Sequence, residues 1–328
     1  MNKKSPLDKT TPAEESLLQS LRVSRWDSFQ GQKQVKKSLN IAIEAAKKRE
    51  EPVDHILLYG PPGLGKTTLA HLIAKGQNSN IRISSGTALS KTGDLAAIIT
   101  NLQPGDVFFI DEIHRMRKPI EEMLYSAMED FALDIVIGKG PSARTVRVDL
   151  PKFTLVGATT RFGALAGPFR DRFGLTHRLE HYAPDDLVKI IKKAGQVLNV
   201  KLSDNSTHEI AVRSRGTPRV ALKLLKRIRD FAQIKELPSI EVSTVTDTLD
   251  LLSIDELGLT DLDRMFLSSL IDKHDGGPVG LTTISATLSE DPITVEEVIE
   301  PYLLQLGFLK KTPKGRVVSK KARQHLKR

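Results

Sequence analysis

The sequence predicts an α/β domain built on a parallel sheet, followed by a small helical domain and a C-terminal winged helix. Three observations support this class. Residues 55–74 have the pattern of a strand, a glycine-rich loop and a helix, two later apolar runs end in polar residues, and residues 256–328 contain three helical patterns before a basic β-ribbon. The predicted boundaries are a flexible arm over 1–20, an α/β domain over 21–182, a helical domain over 183–255 and a winged-helix domain over 256–328.

The first observation is the glycine-rich loop. A short apolar run leads into Gly60-Pro-Pro-Gly-Leu-Gly-Lys-Thr-Thr68, and apolar residues then recur at helical spacing. Glycines let the backbone N–H groups of such a loop point at phosphate oxygens, and the helix N-terminus adds partial positive charge. Lys66 is therefore predicted to reach the β- and γ-phosphates of a nucleotide, with Mg²⁺ on the hydroxyl of Thr67 and a further contact from Thr68.

A second buried strand ends in two acids. The run Asp106-Val-Phe-Phe-Ile110 leads directly into Asp111 and Glu112. Open α/β folds bind ligands at the carboxyl edge of the sheet, so Asp111 is predicted to order Mg²⁺ through water and Glu112 to polarise the attacking water. His114 has two interpretations: a polar group that supports the acids, or a residue at the start of a helix.

A third buried strand, beginning at Phe153, ends in the hydroxyl groups of Thr159 and Thr160, which could sense a γ-phosphate. Two arginines, Arg170 and Arg172, follow on a polar turn. An arginine close to a subunit boundary can neutralise charge on a neighbour's γ-phosphate, with a rate effect on the order of 10³-fold or more. A surface ion-pair cluster is the alternative interpretation of these two arginines.

Residues 131–150 interrupt the alternation of strands and helices. Two β-rich runs, Leu133–Ile137 and Thr145–Leu150, flank the glycine-proline cluster Gly138-Lys-Gly-Pro-Ser142. The first run is apolar on both faces. The predicted hairpin therefore either docks on a partner or packs on its own domain.

The basic charge is concentrated at the C-terminus. The chain has 49 basic and 40 acidic residues, and residues 301–328 contain nine Lys or Arg with no Asp or Glu, so residues 1–300 are formally neutral. Helices followed by a ribbon with a basic turn at Lys310–Arg316 indicate a winged helix whose wing contacts a DNA backbone. A solvated basic tail is the alternative.

The composition of the chain bears on the cellular compartment in which the protein works. The chain contains no cysteine, which excludes disulfides and thiolate metal sites and fits a reducing cytosol. No stretch approaches the roughly 18 consecutive apolar residues of a membrane span, and no apolar segment follows the basic N-terminus. We therefore expect a cytoplasmic protein with neither a signal peptide nor a membrane partner.

Taken together, the motifs resemble those of the RuvB family of Holliday junction branch-migration motors, which are AAA+ ATPases. The resemblance extends from about Leu21 to the C-terminus. It rests on strings in one order: Asp54-His55, Gly60–Thr68, Gly93-Asp-Leu-Ala-Ala97, Phe109-Ile-Asp-Glu-Ile-His-Arg115, Ala127-Met-Glu-Asp-Phe131, Gly157-Ala-Thr-Thr-Arg161, Arg170-Asp-Arg-Phe-Gly174, Arg213-Ser-Arg-Gly-Thr-Pro-Arg219, Gly276-Gly-Pro-Val-Gly-Leu281 and Glu300-Pro-Tyr-Leu-Leu304.

The resemblance implies an AAA+ P-loop NTPase core with a parallel sheet, a helical lid and a winged helix, using ATP and Mg²⁺. It implies a homohexamer on double-stranded DNA at Holliday junctions, RuvA held by the hairpin at 131–150, and RuvC in the larger complex. The implied site residues are Lys66, Asp111, Glu112, Thr160 and Arg172 for catalysis; Leu21, Arg22, Gly63, Gly65, Lys66, Thr67, Thr68, Glu129, Asp130, Phe131, Tyr182 and Arg219 for nucleotide; Thr67 and Asp111 for metal; and Lys311 and Arg316 for DNA.

Several positions depart from the family pattern. Val23 stands where the family usually has proline, and Lys311 and Lys314 stand where it tends to have arginine, which keeps the charge but loses a bidentate grip on phosphate. The segment Ala164–Gly167 is also atypical and precedes Arg172. The predicted function is an ATP-driven DNA translocase; the alternatives are a clamp-loader-like switch and a protein-remodelling ATPase.

Overall fold

The computed structural model describes residue 23, residues 25–137 and residues 144–327. The predicted arm over 1–20, the predicted nucleotide contacts Leu21 and Arg22, and the predicted turn at 138–142 lie outside the described residues. The described residues divide into two compact units: the first holds residues 23–186 together with Thr217–Arg219, and the second holds Leu187–Gly216 and residues 220–327. Within the described ranges, no helix is long and apolar enough to cross a membrane.

The first unit alternates helices and strands, apart from one inserted hairpin. Its elements are α1 (Lys33–Arg49), β1 (Ile56–Tyr59), α2 (Lys66–Gly76), β2 (Ile81–Ser85), α3 (Thr92–Ile99), β3 (Val107–Asp111), α4 (Lys118–Glu129), β4 (Ala132–Ile137), β5 (Arg144–Asp149), β6 (Thr154–Thr159), α5 (Gly167–Arg170) and β7 (Leu175–Arg178).

Five strands of this unit form one parallel sheet in the order β2-β3-β6-β1-β7. All six residues of β6 are buried, and β3 is buried up to Ile110. Burial on both faces explains why these strands are nearly continuous apolar runs, since helices cover a parallel sheet on both sides. The predicted α/β class with a parallel sheet is confirmed.

The inserted hairpin pairs β4 with β5 in antiparallel register, from Ala132 opposite Asp149 to Ile137 opposite Arg144. Leu133 is fully buried in the same core as Phe153 and Phe169 of the first unit. By contrast, β5 is exposed over most of its length. The base of the hairpin therefore packs on its own domain, while its second strand faces solvent.

The second unit is helical and ends in a small β-ribbon. Its elements are α6 (Pro184–Val197), α7 (Asp204–Val212), α8 (Pro218–Ile234), α9 (Val242–Leu251), α10 (Asp261–His274), α11 (Leu281–Leu288), α12 (Pro292–Thr294), a π-helical segment (Val295–Ile299), α13 (Glu300–Gln305), β8 (Leu309–Thr312), β9 (Gly315–Val318) and α14 (Lys320–His325). The first residues of α6 and α8 are counted with the first unit.

The C-terminal part of the second unit has its own apolar core, which includes Phe266, Leu270 and Phe308. At the start of α10, the backbone N–H of Thr260 donates to the carboxylate of Asp263 at 2.7 Å, which fixes the N-terminus of that helix. The ribbon strands pair Lys311 with Arg316, so the wing turn is shorter than the predicted turn at 310–316. The predicted winged helix is confirmed.

Candidate functional site

Three segments meet at the carboxyl edge of the parallel sheet. Strand β6 lies between β1 and β3. Strand β1 leads into the glycine-rich loop before Lys66, β3 ends at Asp111 ahead of Glu112, and Thr160 directly follows β6. Because parallel strands end at the same edge, the sheet brings these four residues together from distant parts of the sequence.

Lys66 contacts the backbone at the start of the glycine-rich loop. Its Nζ donates hydrogen bonds to the carbonyl oxygens of Gly60 at 2.7 Å and Pro61 at 3.0 Å. Burial lowers the pKa of Lys66 to about 8, against the opposing effect of the nearby carboxylates of Asp111 and Glu112. An anion near Nζ would stabilise the protonated amine and raise this pKa again.

Two glycines shape the loop ahead of α2. Gly63 and Gly65 have φ angles of 82° and 100°, in the left-handed region that favours glycine. A Cβ atom on Gly63 would also lie 2.9 Å from the Cβ of Arg219, so packing excludes a side chain there. Thr67 and Thr68 follow in the first turn of α2, where backbone N–H groups lack intrahelical acceptors and favour an anion.

Tyr182 and Arg219 both contact the glycine-rich loop. The hydroxyl of Tyr182 donates to the carbonyl of Leu64 at 3.1 Å, and burial raises the pKa of Tyr182. The backbone N–H of Arg219 donates to the carbonyl of Gly63 at 3.4 Å. These two predicted nucleotide contacts therefore lie against the loop that leads into Lys66.

The two acids after β3 have different surroundings. Burial raises the pKa of Asp111, although its Oδ1 accepts a hydrogen bond from the backbone N–H of Glu112 at 2.9 Å. Oε2 of Glu112 accepts a hydrogen bond from Thr160 Oγ1 at 3.1 Å and lies 3.3 Å from Nδ1 of His114. From the sequence alone, His114 has two interpretations; its signals are its place three residues after Asp111 and its place in the family string Phe109–Arg115.

Arg172 is held at the end of α4. Its Nη1 donates to the carbonyl of Pro168 at 2.6 Å and its Nη2 to Oε2 of Glu129 at 3.1 Å. Its guanidinium carbon lies 4.3 Å from the centre of the Tyr125 ring, within cation–π range. The side chain of Arg172 is still 22% exposed, so it is fixed but reachable. Tyr125 did not appear among the predicted site residues.

The two residues after Glu129 link α4 to other parts of the unit. Asp130 accepts a hydrogen bond from Nη2 of Arg147 on β5 at 2.9 Å. The ring of Phe131 packs edge-on against Phe153, with ring centres 5.9 Å apart. The predicted nucleotide-binding residues Glu129, Asp130 and Phe131 thus contact the Arg172 cluster, the hairpin and the core.

In the second unit, Lys311 and Arg316 share a carboxylate that is completely buried. Nζ of Lys311 lies 2.6 Å from Oε2 of Glu300, and Nε of Arg316 donates to Oε1 of Glu300 at 2.6 Å. Two further lysines of the wing, Lys310 and Lys314, are exposed. Sequence reasoning noted Glu300 only as part of a family string, since nothing in the sequence shows which cations a carboxylate meets.

Comparison with known proteins decides the family. Models described as the Holliday junction DNA helicase RuvB P-loop domain, the RuvB AAA lid domain and the RuvB C-terminal winged helix domain match residues 21–179, 182–255 and 256–327. The chain belongs to the RuvB family. The predicted resemblance to RuvB is therefore confirmed, and so is the binding of a nucleotide that the RuvB P-loop domain implies.

Solved RuvB structures agree with this assignment. The Thermotoga maritima RuvB Holliday junction branch migration motor is 49% identical, covers 94% of this chain and 98% of its own, and superposes with a TM-score of 0.85. A point mutant of Thermotoga maritima RuvB has the same identity and coverage, with a TM-score of 0.86. The likeness thus extends over nearly the whole of both chains.

Proposed function

We propose that this chain is the motor subunit that hydrolyses ATP to drive branch migration of Holliday junctions in recombination and DNA repair. The observation that carries the proposal is the meeting of Lys66, Asp111, Glu112 and Thr160 at one sheet edge of a RuvB-family chain. The 49% identical Thermotoga maritima relative is itself described as a Holliday junction branch migration motor.

The glycine-rich loop is proposed to bind the phosphates of ATP. Lys66 would exchange its hydrogen bonds to loop carbonyls for the β- and γ-phosphates, and Thr67 and Thr68 would add contacts from the start of α2. Tyr182 and Arg219 contact the loop backbone, and they are proposed to contact the nucleotide, as are Leu21 and Arg22. The buried position of Lys66 supports this role, because a desolvated ammonium gains strongly from an anionic partner.

The donor set fits Mg²⁺. Thr67 and Asp111 would hold the ion, which would supply positive charge next to the phosphates. Among the described residues, no group of three or more His, Cys, Asp or Glu is arranged to hold a metal alone. A hydroxyl and a carboxylate are oxygen donors of the kind that Mg²⁺ prefers, because this ion binds through one or two protein oxygens plus the phosphates of its substrate.

Glu112 is proposed to orient and polarise the attacking water. Its carboxylate already accepts a hydrogen bond from Thr160, the residue expected to sense the γ-phosphate. A hydroxyl can donate only one hydrogen bond, so Thr160 would release Glu112 when it donates to a phosphate oxygen. Binding of ATP would thereby free the carboxylate for a water molecule.

The working assembly is proposed to be a homohexamer in which Arg172 acts on the nucleotide of the neighbouring subunit. Arg172 is reachable from solvent, and its carboxylate partner Glu129 is itself more than half exposed. An arginine offered to a neighbour's γ-phosphate stabilises the transition-state charge. The nearby Glu129, Asp130 and Phe131 would lie at the same subunit boundary, which accounts for their predicted nucleotide role.

The partners are proposed to be duplex DNA, RuvA and RuvC. The wing with Lys311 and Arg316 would contact the DNA backbone, and the exposed second strand of the hairpin at 131–150 would bind RuvA. RuvC would join the larger complex at the junction. A protein that acts on bacterial chromosomal DNA would work in the cytoplasm.

A clamp-loader-like switch is the competing function. It would bind ATP to assemble a protein on DNA, with little processive movement. The deciding experiment uses a synthetic four-way junction and the full chain with RuvA. It measures ATP hydrolysis and, in parallel, the conversion of the junction into duplex products by branch migration. We expect both in the presence of ATP and Mg²⁺, and neither with Glu112→Gln, which should still bind nucleotide.

Two results would contradict this proposal. An intact ring that hydrolyses ATP but never moves the junction would favour the switch. Normal turnover by Glu112→Gln would show that the role given to this carboxylate is wrong.

A further inference from the structure

His114 is a partly buried histidine for which the proposed chemistry has no direct use. It lies on the short 3-10 helix Ile113–Arg115 that follows Glu112, and its side chain is only 7% exposed. Its Nδ1 is 3.3 Å from Oε2 of Glu112 and 2.9 Å from Oγ1 of Thr159. One ring nitrogen therefore faces both the proposed catalytic carboxylate and the last residue of β6.

Thr159 anchors the imidazole ring of His114. It is fully buried, and its Oγ1 also accepts a hydrogen bond from the backbone N–H of Arg161 at 3.0 Å. A rotation of the ring away from Thr159 would give up the 2.9 Å contact between Nδ1 and Oγ1 beside a fully buried residue, which is unfavourable. Because an ionised carboxylate can only accept, its position near Nδ1 favours the tautomer with the proton on that nitrogen.

The backbone around Glu112 is equally constrained. Glu112 has a φ of 47°, a left-handed conformation that a side-chain-bearing residue adopts only when its surroundings impose it. Gly86, which follows β2, packs so closely that a Cβ there would clash with the carbonyl oxygen of Glu112. The turn from Glu112 to His114 is therefore a rigid support for the carboxylate.

We propose that His114 is a positioning residue that, with Thr159, holds the carboxylate of Glu112 beside Thr160 and keeps it in place when Thr160 turns to a γ-phosphate. The inference rests on the proposed function of Glu112. Glu112 has two neighbouring donors, and nucleotide takes only one of them. With His114 present, the carboxylate keeps a fixed neighbour during hydrolysis, and its geometry toward water stays defined.

The test is a series of substitutions at His114 in the full-length chain. His114→Leu removes the donor, so we expect kcat for ATP to fall by about 10- to 100-fold, because a misplacement of about 1 Å can cost 10²-fold in rate. Titration with a fluorescent ADP analogue should give a Kd within about twofold of the unsubstituted protein, because the proposal gives His114 a contact with Glu112 and none with nucleotide. His114→Asn, whose amide can donate from a similar position, should restore most of kcat.

Coupling to Glu112 separates positioning from a merely structural role. In a Glu112→Gln background, His114→Leu should lower the residual single-turnover rate no further, because the two residues act as one unit. Thr159→Val should lower kcat in the same sense as His114→Leu, while Thr159→Ser should not. The Thr159 pair keeps the proposal testable if the melting temperature shows that His114→Leu does not fold.

Several outcomes would overturn the inference: a normal kcat in both His114→Leu and Thr159→Val, an equal loss in His114→Asn, or a rise in Kd that parallels the fall in kcat. The Glu112→Gln protein distinguishes this failure from failure of the proposed function. If Glu112→Gln is inactive while His114→Leu is normal, only the role of His114 is wrong. If Glu112→Gln turns over normally, the function proposed for Glu112 is wrong as well.

Discussion

Two arginines of this protein are proposed to meet phosphate groups of another molecule, and they are held in different ways. Arg172 of the first unit is paired with Glu129, whose side chain is 56% exposed. Arg316 of the wing is paired with Glu300, whose side chain is 0% exposed. The sequence presents both simply as arginines in polar turns.

This difference decides what each arginine can do. An exposed carboxylate returns to water when its partner leaves, so Arg172 can exchange Glu129 for a phosphate at small cost. Glu300 would be left as an uncompensated charge in the interior, so Arg316 stays paired. A guanidinium has five donors, and Glu300 uses two N–H groups of Arg316. A phosphate contact by Arg316 would therefore be additional to its ion pair.

The largest expected effect is on turnover. Arg172→Ala should lower ATP hydrolysis by the assembled ring about 10³-fold, because charge on the neighbour's γ-phosphate loses its cation. The melting temperature should stay close to the unsubstituted value, since the arginine is partly exposed. Arg172→Lys keeps the positive charge but lacks the planar guanidinium that can bind a phosphate through two N–H groups, so it should recover only part of the rate.

A mixing experiment locates the effect of Arg172 in the neighbouring subunit. Rings assembled from Arg172→Ala and Glu112→Gln chains should hydrolyse more ATP than either variant alone, because some sites then combine an intact Glu112 with an intact Arg172. Mixed rings as inactive as the separate variants would argue against action between subunits.

The next effect is on folding stability, and it uses a matched pair of substitutions. Glu300→Gln should lower the free energy of unfolding by about 3–5 kcal/mol, because two cations lose a buried partner. Glu129→Gln breaks an exposed pair, so its cost should be below about 1 kcal/mol. Denaturant unfolding followed by circular dichroism measures both, and equal losses in the two variants would remove the distinction drawn between these arginines.

The free energy of unfolding should fall in acid because of His55, which contacts the end of α4 next to Glu129. His55 is buried, its Nε2 lies 3.1 Å from the carbonyl of Met128 in the last turn of α4, and burial lowers its pKa. The unfolded chain therefore binds a proton at higher pH than the folded chain. The contribution of His55 to the free energy of unfolding is fully present above about pH 6.5, its pKa in the unfolded chain. This contribution falls as the pH drops toward the lower pKa of the folded chain, by at most about 1.4 kcal/mol per pH unit.

Unfolding free energies measured between pH 7 and pH 5 test this dependence. His55→Gln cannot take up a proton, so its stability should fall less steeply over that range. Identical slopes for the two proteins would show that His55 does not contribute.

The smallest expected effect is on DNA binding by the exposed lysines of the wing. Lys314→Ala should weaken duplex binding a few-fold and reduce the slope of log K against log salt by about 0.9, the value for one lost phosphate contact. Lys192→Ala is the matched control, because this lysine pairs with Asp204 at 2.7 Å in the helical part of the unit. Fluorescence anisotropy at several salt concentrations measures both slopes, and an unchanged slope for Lys314→Ala would exclude this contact.

The sequence by itself determined the fold class, and it predicted a nucleotide site with named residues. Apolar runs that end in polar residues are local signals, and each one predicts a buried parallel strand whose carboxyl end carries functional groups. This reasoning predicted roles for Lys66, Asp111, Glu112 and Thr160 from residue type and from position at a strand end, and the structure brings the four residues to one edge of the sheet. It also predicted the hairpin and the winged helix.

Only the tertiary structure decided which side chains meet. His114 meets Thr159, which lies 45 positions away in the sequence. Arg172 meets Tyr125 and Glu129, which lie 47 and 43 positions away, and Arg316 meets Glu300, which lies 16 positions away. Burial and hydrogen-bond geometry depend on how elements pack, and no local pattern records them. For this reason two arginines that look alike in the sequence have different freedom to bind a phosphate.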